Sequence, residues 1–283
     1  MNKLFGLIGN PVGHSLSPLM HNDAFKMLQL PYYYHAFAVE QERLKDAVAG
    51  MKALGISGFN VTIPYKVDVM NYLDKIDEEA KIIGAVNTVV LEDGHYVGYN
   101  TDGQGFYESL LELVGPTITE KKVLMIGAGG AARAIYTTLV RRGINVVDIA
   151  NRSNERANEL VLHCQNNNET TIYSLKEAVQ HTGEYDIIIN TTSVGMSPAT
   201  AEMPLSLENA KEQTVVADII YNPLKTKWLQ EAEQKGAIPL NGVPMFINQG
   251  ALAFEKWTYI KPDRERMKNV VLEQLGGNDY VNR

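Results

Sequence analysis

Two short stretches hold residues that could do chemistry together. Asn60-Val61-Thr62-Ile63-Pro64-Tyr65-Lys66 ends in a potential ammonium, and Asn100-Thr101-Asp102-Gly103 supplies a carboxylate. Each group sits in a polar turn flanked by small residues. A lysine beside an aspartate suits acid-base work: the ammonium gives a proton, the neutral amine takes one back, and the carboxylate holds the amine in place. A neighbouring carboxylate favours the ammonium, so Lys66 suits acid catalysis at neutral pH, and the reverse oxidation is expected to speed up as pH rises. A dinucleotide-binding signature follows closely, so the pair points to hydride transfer. A lone lysine is as a rule a solvated surface charge, and the sequence leaves that reading open.

The signature is Gly127-Ala128-Gly129-Gly130-Ala131-Ala132-Arg133, of the form G-x-G-x-x-A. Gly127 permits a tight turn, Gly129 lets pyrophosphate approach the backbone, and small Ala132 allows close helix-to-strand packing. The run follows the apolar residues 122–126 and opens a helical pattern, so helix N-terminal amides would face the phosphates. A purely structural glycine turn is the rival reading. The next strand ends at Asn151-Arg152-Ser153, where an NAD enzyme would carry Asp or Glu for the ribose diol. Asp148 lies too far inside that strand to serve. Arg152 offers a planar cation for a 2'-phosphate and Arg156 follows one helical turn later, so NADP is expected over NAD unless both arginines are merely solvated.

Substrate contacts have weaker signals. Residues 9–18, GNPVGHSLSP, form a polar loop after the first strand, at the carboxyl end where open α/β sheets bind ligands. Ser15 and Ser17 could donate to a carboxylate, and Ser17 reads equally as the N-cap of the next helix, with Pro18 at its first position. Asn60 and Thr62 alternate with Phe59, Val61 and Ile63 and so share one strand face. Buried polar groups need partners, which a polyhydroxylated ligand would supply. Asn87 and Asp102 could converge on the same place.

The elements that must position these groups alternate. Residues 3–8, 32–39 and 59–63 read as strands, and 17–28 and 40–54 as helices; this βαβα rhythm predicts a mostly parallel sheet. Residues 86–91 and 95–99 flank Glu92-Asp93-Gly94 as a hairpin, after a helix over 77–83. Further strands are expected at 122–126, 145–150, 186–190, 215–219 and 238–240, a helix running through 142, and helices at 244–259 and 263–275. Asn166-Asn167-Asn168 reads as a loop.

With 283 residues, two domains are the prior. A net charge of -7, without a Lys/Arg block, argues against nucleic-acid and anionic-membrane surfaces. The apolar run at the N-terminus is too short for a secretory signal, and no run approaches a membrane span. One cysteine, Cys164, excludes an internal disulfide, and no Cys/His spacing suggests a metal. A cytoplasmic setting with a small-molecule partner is expected.

The ordered set GNPVGHSLSP, NVTIPYK, GAVNT, NTDG, GAGGAAR, NRS, NTTSVGM, DIIYNP and NGVPMFINQGALAFE resembles the shikimate dehydrogenase family. The resemblance implies reversible NADPH-dependent reduction of 3-dehydroshikimate to shikimate, on the way to chorismate and the aromatic amino acids. It implies two α/β domains, an N-terminal substrate domain (1–102) and a Rossmann domain (103–242), with the site in the cleft between them and the C-terminal helices (243–283) returning to the first. Ser15 and Ser17 then match substrate-carboxylate serines; Asn60, Thr62, Asn87 and Gln249 match polar substrate contacts; Lys66 and Asp102 match the catalytic pair. Gly127, Ala128, Gly129, Gly130 and Ala131, with Asn151, Arg152, Ser153 and Arg156, match NADP contacts. Thr192, Gly242 and Met245 fall around the cofactor and Tyr221 by the substrate. Thr191 stands where relatives often carry alanine. A quinate/shikimate dehydrogenase using NAD, and a catalytically silent NADP-binding sensor, are the rivals; either a monomer or a homodimer is compatible.

Overall fold

The computed structural model describes residues 2–164 and 169–276. The Asn166-Asn167-Asn168 loop expectation lies outside the described residues. The chain forms two compact units: one takes in the chain to Asp102 together with the stretch from Ile247 onward, and the other is Gly103–Phe246.

The first unit opens with β1 (Lys3–Gly9), α1 (Ser17–Met27), β2 (Tyr32–Ala38), α2 (Leu44–Ala53) and β3 (Gly58–Val61). It continues with β4 (Lys75–Ile76), α3 (Glu78–Ile83), β5 (Thr88–Glu92) and β6 (His95–Tyr99). Then come α4 (Asp102–Val114), β7 (Lys122–Ile126), α5 (Gly130–Arg141), β8 (Val146–Ala150), α6 (Asn154–His163), β9 (Ile172–Tyr173) and α7 (Leu175–His181). The series ends with β10 (Ile187–Asn190), β11 (Val215–Asp218), α8 (Lys227–Gln234), β12 (Ile238–Leu240), α9 (Val243–Thr258) and α10 (Arg264–Gln274).

The first sheet has the order β2-β1-β3-β5-β6-β4. It is parallel through β2, β1 and β3, and turns antiparallel at β5 and β6. The antiparallel pair is a hairpin whose two turn residues, Asp93 and Gly94, both have positive φ (48° and 78°), as a type I′ turn requires. Ser17, expected as the cap of α1, is instead its first residue; Leu16 holds the N-cap position with no side-chain bond. Within 40–54, residues 41–43 form a 3-10 turn before α2 begins. Strand β3 stops at Val61, so the alternation expected through Ile63 breaks: Phe59 and Val61 are buried, but Ile63 is 63% exposed. The chain turns there, with Tyr65 N–H donating to the Thr62 carbonyl.

On one side of this sheet Ile8, Phe59, Val61, Tyr65, Val89 and Tyr96 share a core. An aromatic cluster of Phe5, Phe25, Tyr34, Phe254 and Trp257 also belongs to this unit. Gly58 is a close approach: a Cβ there would lie 2.5 Å from Trp257 Nε1 and 2.7 Å from the Val89 carbonyl oxygen, which accepts the indole N–H at 2.9 Å. Gly58→Ala is therefore expected to destabilise this unit by about 1–3 kcal/mol through overpacking. Urea unfolding checks it, and an unchanged midpoint would mean that the sheet yields to the methyl.

In the second unit the sheet order is β12-β11-β10-β7-β8-β9, parallel at every pairing. Its strands are continuous apolar runs because both faces are covered. The chain passes from β7 to β8 on one side and later to β10 on the other, which makes a topological switch point at the carboxyl end of β7. Register sets Ile126, Asn190 and Asp218 side by side at that edge. This unit extends through Phe246 rather than 242, and Met245 is buried in its core.

Candidate functional site

Lys66 Nζ lies 2.6 Å from Asp102 Oδ2, and the two side chains are 15% and 6% exposed. Several local features place them. Tyr65 is buried and its hydroxyl donates to the Val39 carbonyl, while the Lys66 carbonyl accepts from Val86 N–H at 2.7 Å. Asp102 is the first residue of α4, not a turn residue as expected, and its N–H is held by Asn100 Oδ1 at 3.0 Å. Its second oxygen accepts from Asn87 Nδ2 at 2.8 Å. The carboxylate thus grips the lysine with one oxygen and the protein frame with the other.

From this pair a polar network runs through the same unit. Asn87 Nδ2 also reaches Thr101 Oγ1 at 3.0 Å and Gln249 Oε1 at 3.4 Å. Asn87 Oδ1 accepts from Thr101 N–H and from Thr88 Oγ1. Asn60 Nδ2 donates to Thr88 Oγ1 and to the Asn87 carbonyl, both at 3.1 Å. The Tyr34 hydroxyl then donates to Asn60 Oδ1 at 2.8 Å. Ser17 lies beside the Tyr34 phenol, and Ser15 Oγ donates to Ser17 Oγ at 3.2 Å. Burial pushes the Tyr34 phenol well above its ordinary range, the nearby Ser17 hydroxyl opposing, so the group stays a neutral donor.

Asn60, Lys66, Asn87, Asp102 and Gln249 therefore belong to one hydrogen-bonded set, and the Ser15–Ser17 pair adjoins it at Tyr34. Thr62 stands apart from it, its methyl side crowding Gly9, where a Cβ would come within 2.3 Å of Thr62 Cγ2. Asn60 does not wait for a ligand to satisfy it, as the strand pattern suggests, because Tyr34 and Thr88 already do. Sequence reasoning missed Tyr34, Thr88 and Thr101. The threonines adjoin residues that were singled out, and a buried tyrosine alternating with exposed Tyr33 was the available signal.

The glycine turn has the features a dinucleotide needs. Gly127 has φ +110°, and a Cβ there would lie 2.6 Å from Thr191 Oγ1 and 2.9 Å from Thr192 Cγ2. Gly129 holds the N-cap position of α5 without a side-chain cap, and a Cβ there would meet nothing within 4 Å among the described residues. Gly130 and Ala131 begin the helix, and Ala128 packs against the core. The helix start thus offers backbone amides beside open space, which fits a pyrophosphate. Thr191 ties the turn to the sheet through a 2.6 Å bond to the Ile126 carbonyl.

At the end of β8, Asn151 Nδ2 donates to the Ser153 carbonyl at 2.6 Å. Ser153 caps α6 by accepting from Arg156 N–H, and its hydroxyl donates to Glu155 Oε2. Arg152 and Arg156 are both exposed, so a cationic pair flanks a polar cap, a donor set suited to a 2'-phosphate. Asp148 is committed elsewhere, accepting from Thr171 N–H and the Tyr185 hydroxyl. Thr192 is held by Asn190 Oδ1 through both its N–H and its hydroxyl. Tyr221 packs on Phe246 with ring centroids 4.6 Å apart and the planes tilted by 31°. At Gly242 a Cβ would come within 2.2 Å of the Ile219 carbonyl oxygen, so only glycine fits. Met245, expected at the cofactor, has its side chain buried in the core of this unit. Among the described residues no group of His, Cys, Asp or Glu could hold a metal, and no helix is long and apolar enough to cross a membrane.

The chain matches models of the shikimate dehydrogenase substrate binding domain over residues 7–89, shikimate / quinate 5-dehydrogenase over 109–223, and the shikimate 5'-dehydrogenase C-terminal domain over 242–272. It is 58% identical over 277 residues to the shikimate dehydrogenase (NADP(+)) of Geobacillus sp. (strain WCH70), spanning 98% of this chain and 100% of that one. A crystal structure of a shikimate dehydrogenase in complex with NADP+ superposes with a TM-score of 0.91 at 45% identity, covering 97% of this chain and 96% of that one. The shikimate 5-dehydrogenase of Thermus thermophilus in complex with NADP(H) and shikimate gives 0.86 at 35% identity, covering 96% and 99%. With similarity of this degree running the length of the sequence and of the fold, the chain belongs to the shikimate dehydrogenase family.

Proposed function

We infer that the chain catalyses the reversible NADPH-dependent reduction of 3-dehydroshikimate to shikimate, with Lys66 as proton donor and Asp102 as its partner. The observation that carries this reading is the Lys66–Asp102 ion pair, anchored by Asn87 in a polar network that Ser17 and Ser15 adjoin at Tyr34. When bound, the reduced nicotinamide supplies hydride. Lys66, as an ammonium, gives its proton to the carbonyl oxygen at C3; as a neutral amine it takes the hydroxyl proton in the reverse direction. Asp102 fixes the amine and accepts from the substrate hydroxyl beside it. Ser15 and Ser17 hold the substrate carboxylate through hydroxyl donors, and Asn60, Thr62, Asn87, Tyr221 and Gln249 bind its hydroxyls.

The turn from Gly127 to Ala131 would hold the pyrophosphate, and Arg152 and Arg156 the 2'-phosphate. Thr192 and Gly242 belong to the nicotinamide side. Charge-assisted hydrogen bonds are worth about 1.5–3 kcal/mol, so Arg152→Ala should raise KM for NADP by roughly 10- to 100-fold. KM for NAD should stay near the wild-type value, and equal effects on both cofactors would mean that Arg152 does not read the phosphate. A cytoplasmic site of action and a monomeric or homodimeric state complete the proposal; the single cysteine is consistent with a reducing compartment.

The test is the appearance of reduced-nicotinamide absorbance when purified protein is given shikimate or quinate with NADP or NAD, in every combination. Turnover with shikimate and NADP alone is expected. Comparable rates with quinate or NAD would replace this reading with a dual-substrate enzyme, and silence with NADP still bound would replace it with a sensor.

A further inference from the structure

Asp218 ends β11 and is 1% exposed, and its hydrogen-bond partners are all neutral. Oδ1 accepts from Ile220 N–H at 3.0 Å and Asn190 Nδ2 at 3.1 Å, and Oδ2 accepts from Thr226 Oγ1 at 2.9 Å. Asn190 ends β10, and Ile220 and Thr226 stand at the two ends of the connection from β11 to α8. Asn190 holds Thr192, which lies under Gly127. Ile220 precedes Tyr221, and its carbonyl accepts from Gly242 N–H at 2.9 Å. Thr226 caps α8. One carboxylate thus ties the end of β10 to the connection after β11, which in turn holds Gly242 after β12.

These segments lie on one side of the switch point, and the arginines that suit a 2'-phosphate lie on the other, after β8. A dinucleotide laid across the switch point with its pyrophosphate at Gly129 puts its nicotinamide over the ends of β10 and β11. We propose that Asp218 is a positioning residue for the nicotinamide half of the cofactor site, setting the loops that carry Thr192, Tyr221 and Gly242. This rests on the cofactor reading above. Only an ionised carboxylate accepts from all three donors while donating nothing. An asparagine would turn an NH2 group toward at least one of them. Burial pushes the Asp218 carboxyl up to about 6, the hydrogen bonds from Ile220, Thr226 and Asn190 pulling the other way. A residue chosen for stability alone would not be a buried carboxylate without a cation.

The experiment measures binding of NADPH and of adenosine 2',5'-bisphosphate, which spans only the adenosine half, to wild type and Asp218→Asn. Asp218→Asn should weaken NADPH binding by about tenfold or more, since it disrupts a charge-assisted contact, and leave the bisphosphate within about twofold of wild type, well under the factor that one such contact carries. Unchanged NADPH binding, or equal loss of both ligands, would overturn the proposal. Failure of wild type to bind either ligand would overturn the cofactor reading instead. Should Asp218→Asn not fold, Thr226→Ala removes one donor to the same carboxylate and Thr226→Ser restores it. Selective loss of NADPH in the alanine variant with recovery in the serine variant supports the assignment, and indifference in both overturns it.

Discussion

Lys66→Ala is expected to lower kcat by about 10² to 10⁴ in both directions, the usual worth of a positioned acid or base, while KM for shikimate moves much less. The split follows from the geometry. Lys66 is the member of the polar network that is a cation held against a carboxylate, and the serines and amides that would bind the substrate do not depend on it. Removing the ammonium also leaves Asp102 buried with Asn87 and no cation, and breaking a buried pair by deleting one partner destabilises by up to about 3–5 kcal/mol. Rates must therefore be read where the variant is shown to be folded. Asp102→Asn gives the complementary result: Lys66 remains but loses its anchor, so kcat falls with the lysine still present. A large rise in KM with kcat intact for Lys66→Ala would make it a binding residue and remove it from the proton transfer.

How much of this site was legible in the sequence depended on how local its determinants are. The glycine turn was legible because strand, turn and helix are consecutive, and the Asp93-Gly94 hairpin because two residues fix it. Helix α4 was not. Its first turn, Asp102-Gly103-Gln104-Gly105, reads as a loop, yet glycine at 103 answers a distant constraint: a Cβ would lie 2.1 Å from Thr138 Oγ1 and 2.4 Å from the Ala134 carbonyl oxygen on α5. Tertiary packing thus selects a residue that propensity would exclude from a helix. The partners of Asn60 were hidden for the same reason, since Tyr34 and Thr88 stand 26 and 28 residues away. Asp218 looked like the end of a strand because its donors are Asn190 on a neighbouring strand 28 residues away and two residues of the loop before α8. Motifs reveal residues that contact ligands; the residues that hold those contacts in place are read only from the fold.

His21 offers the largest expected effect on how stability varies with pH. Its ring is fully buried, stacked on Tyr34 at 4.6 Å and edge-on to Trp257 at 5.2 Å, and neither ring nitrogen has a hydrogen-bond partner among the described residues. Burial lowers its pKa from 6.5 to about 3. The sign follows from linkage: below about 6.5 the unfolded chain takes up a proton that the folded chain refuses. The stabilising contribution is therefore complete above pH 6.5 and is lost as pH falls toward 3, at up to about 1.4 kcal/mol per pH unit. His21→Phe keeps an aromatic ring in the cluster and removes the titration. At neutral pH the gain from deleting two unpaired nitrogens and the strain of a larger ring oppose each other, each about 1–3 kcal/mol, so the diagnostic is the slope and not the absolute stability. Between pH 6.5 and 4 the variant should lose stability less steeply than wild type, and the gap between the two curves should widen by several kcal/mol as the linkage integrates. Urea unfolding at a series of pH values, followed by tryptophan fluorescence, reads this directly, Trp257 standing edge-on to His21 in the same unit. Parallel curves would mean that His21 finds a proton-accepting partner on acidification, and that the aromatic cluster opens to water before the unit unfolds.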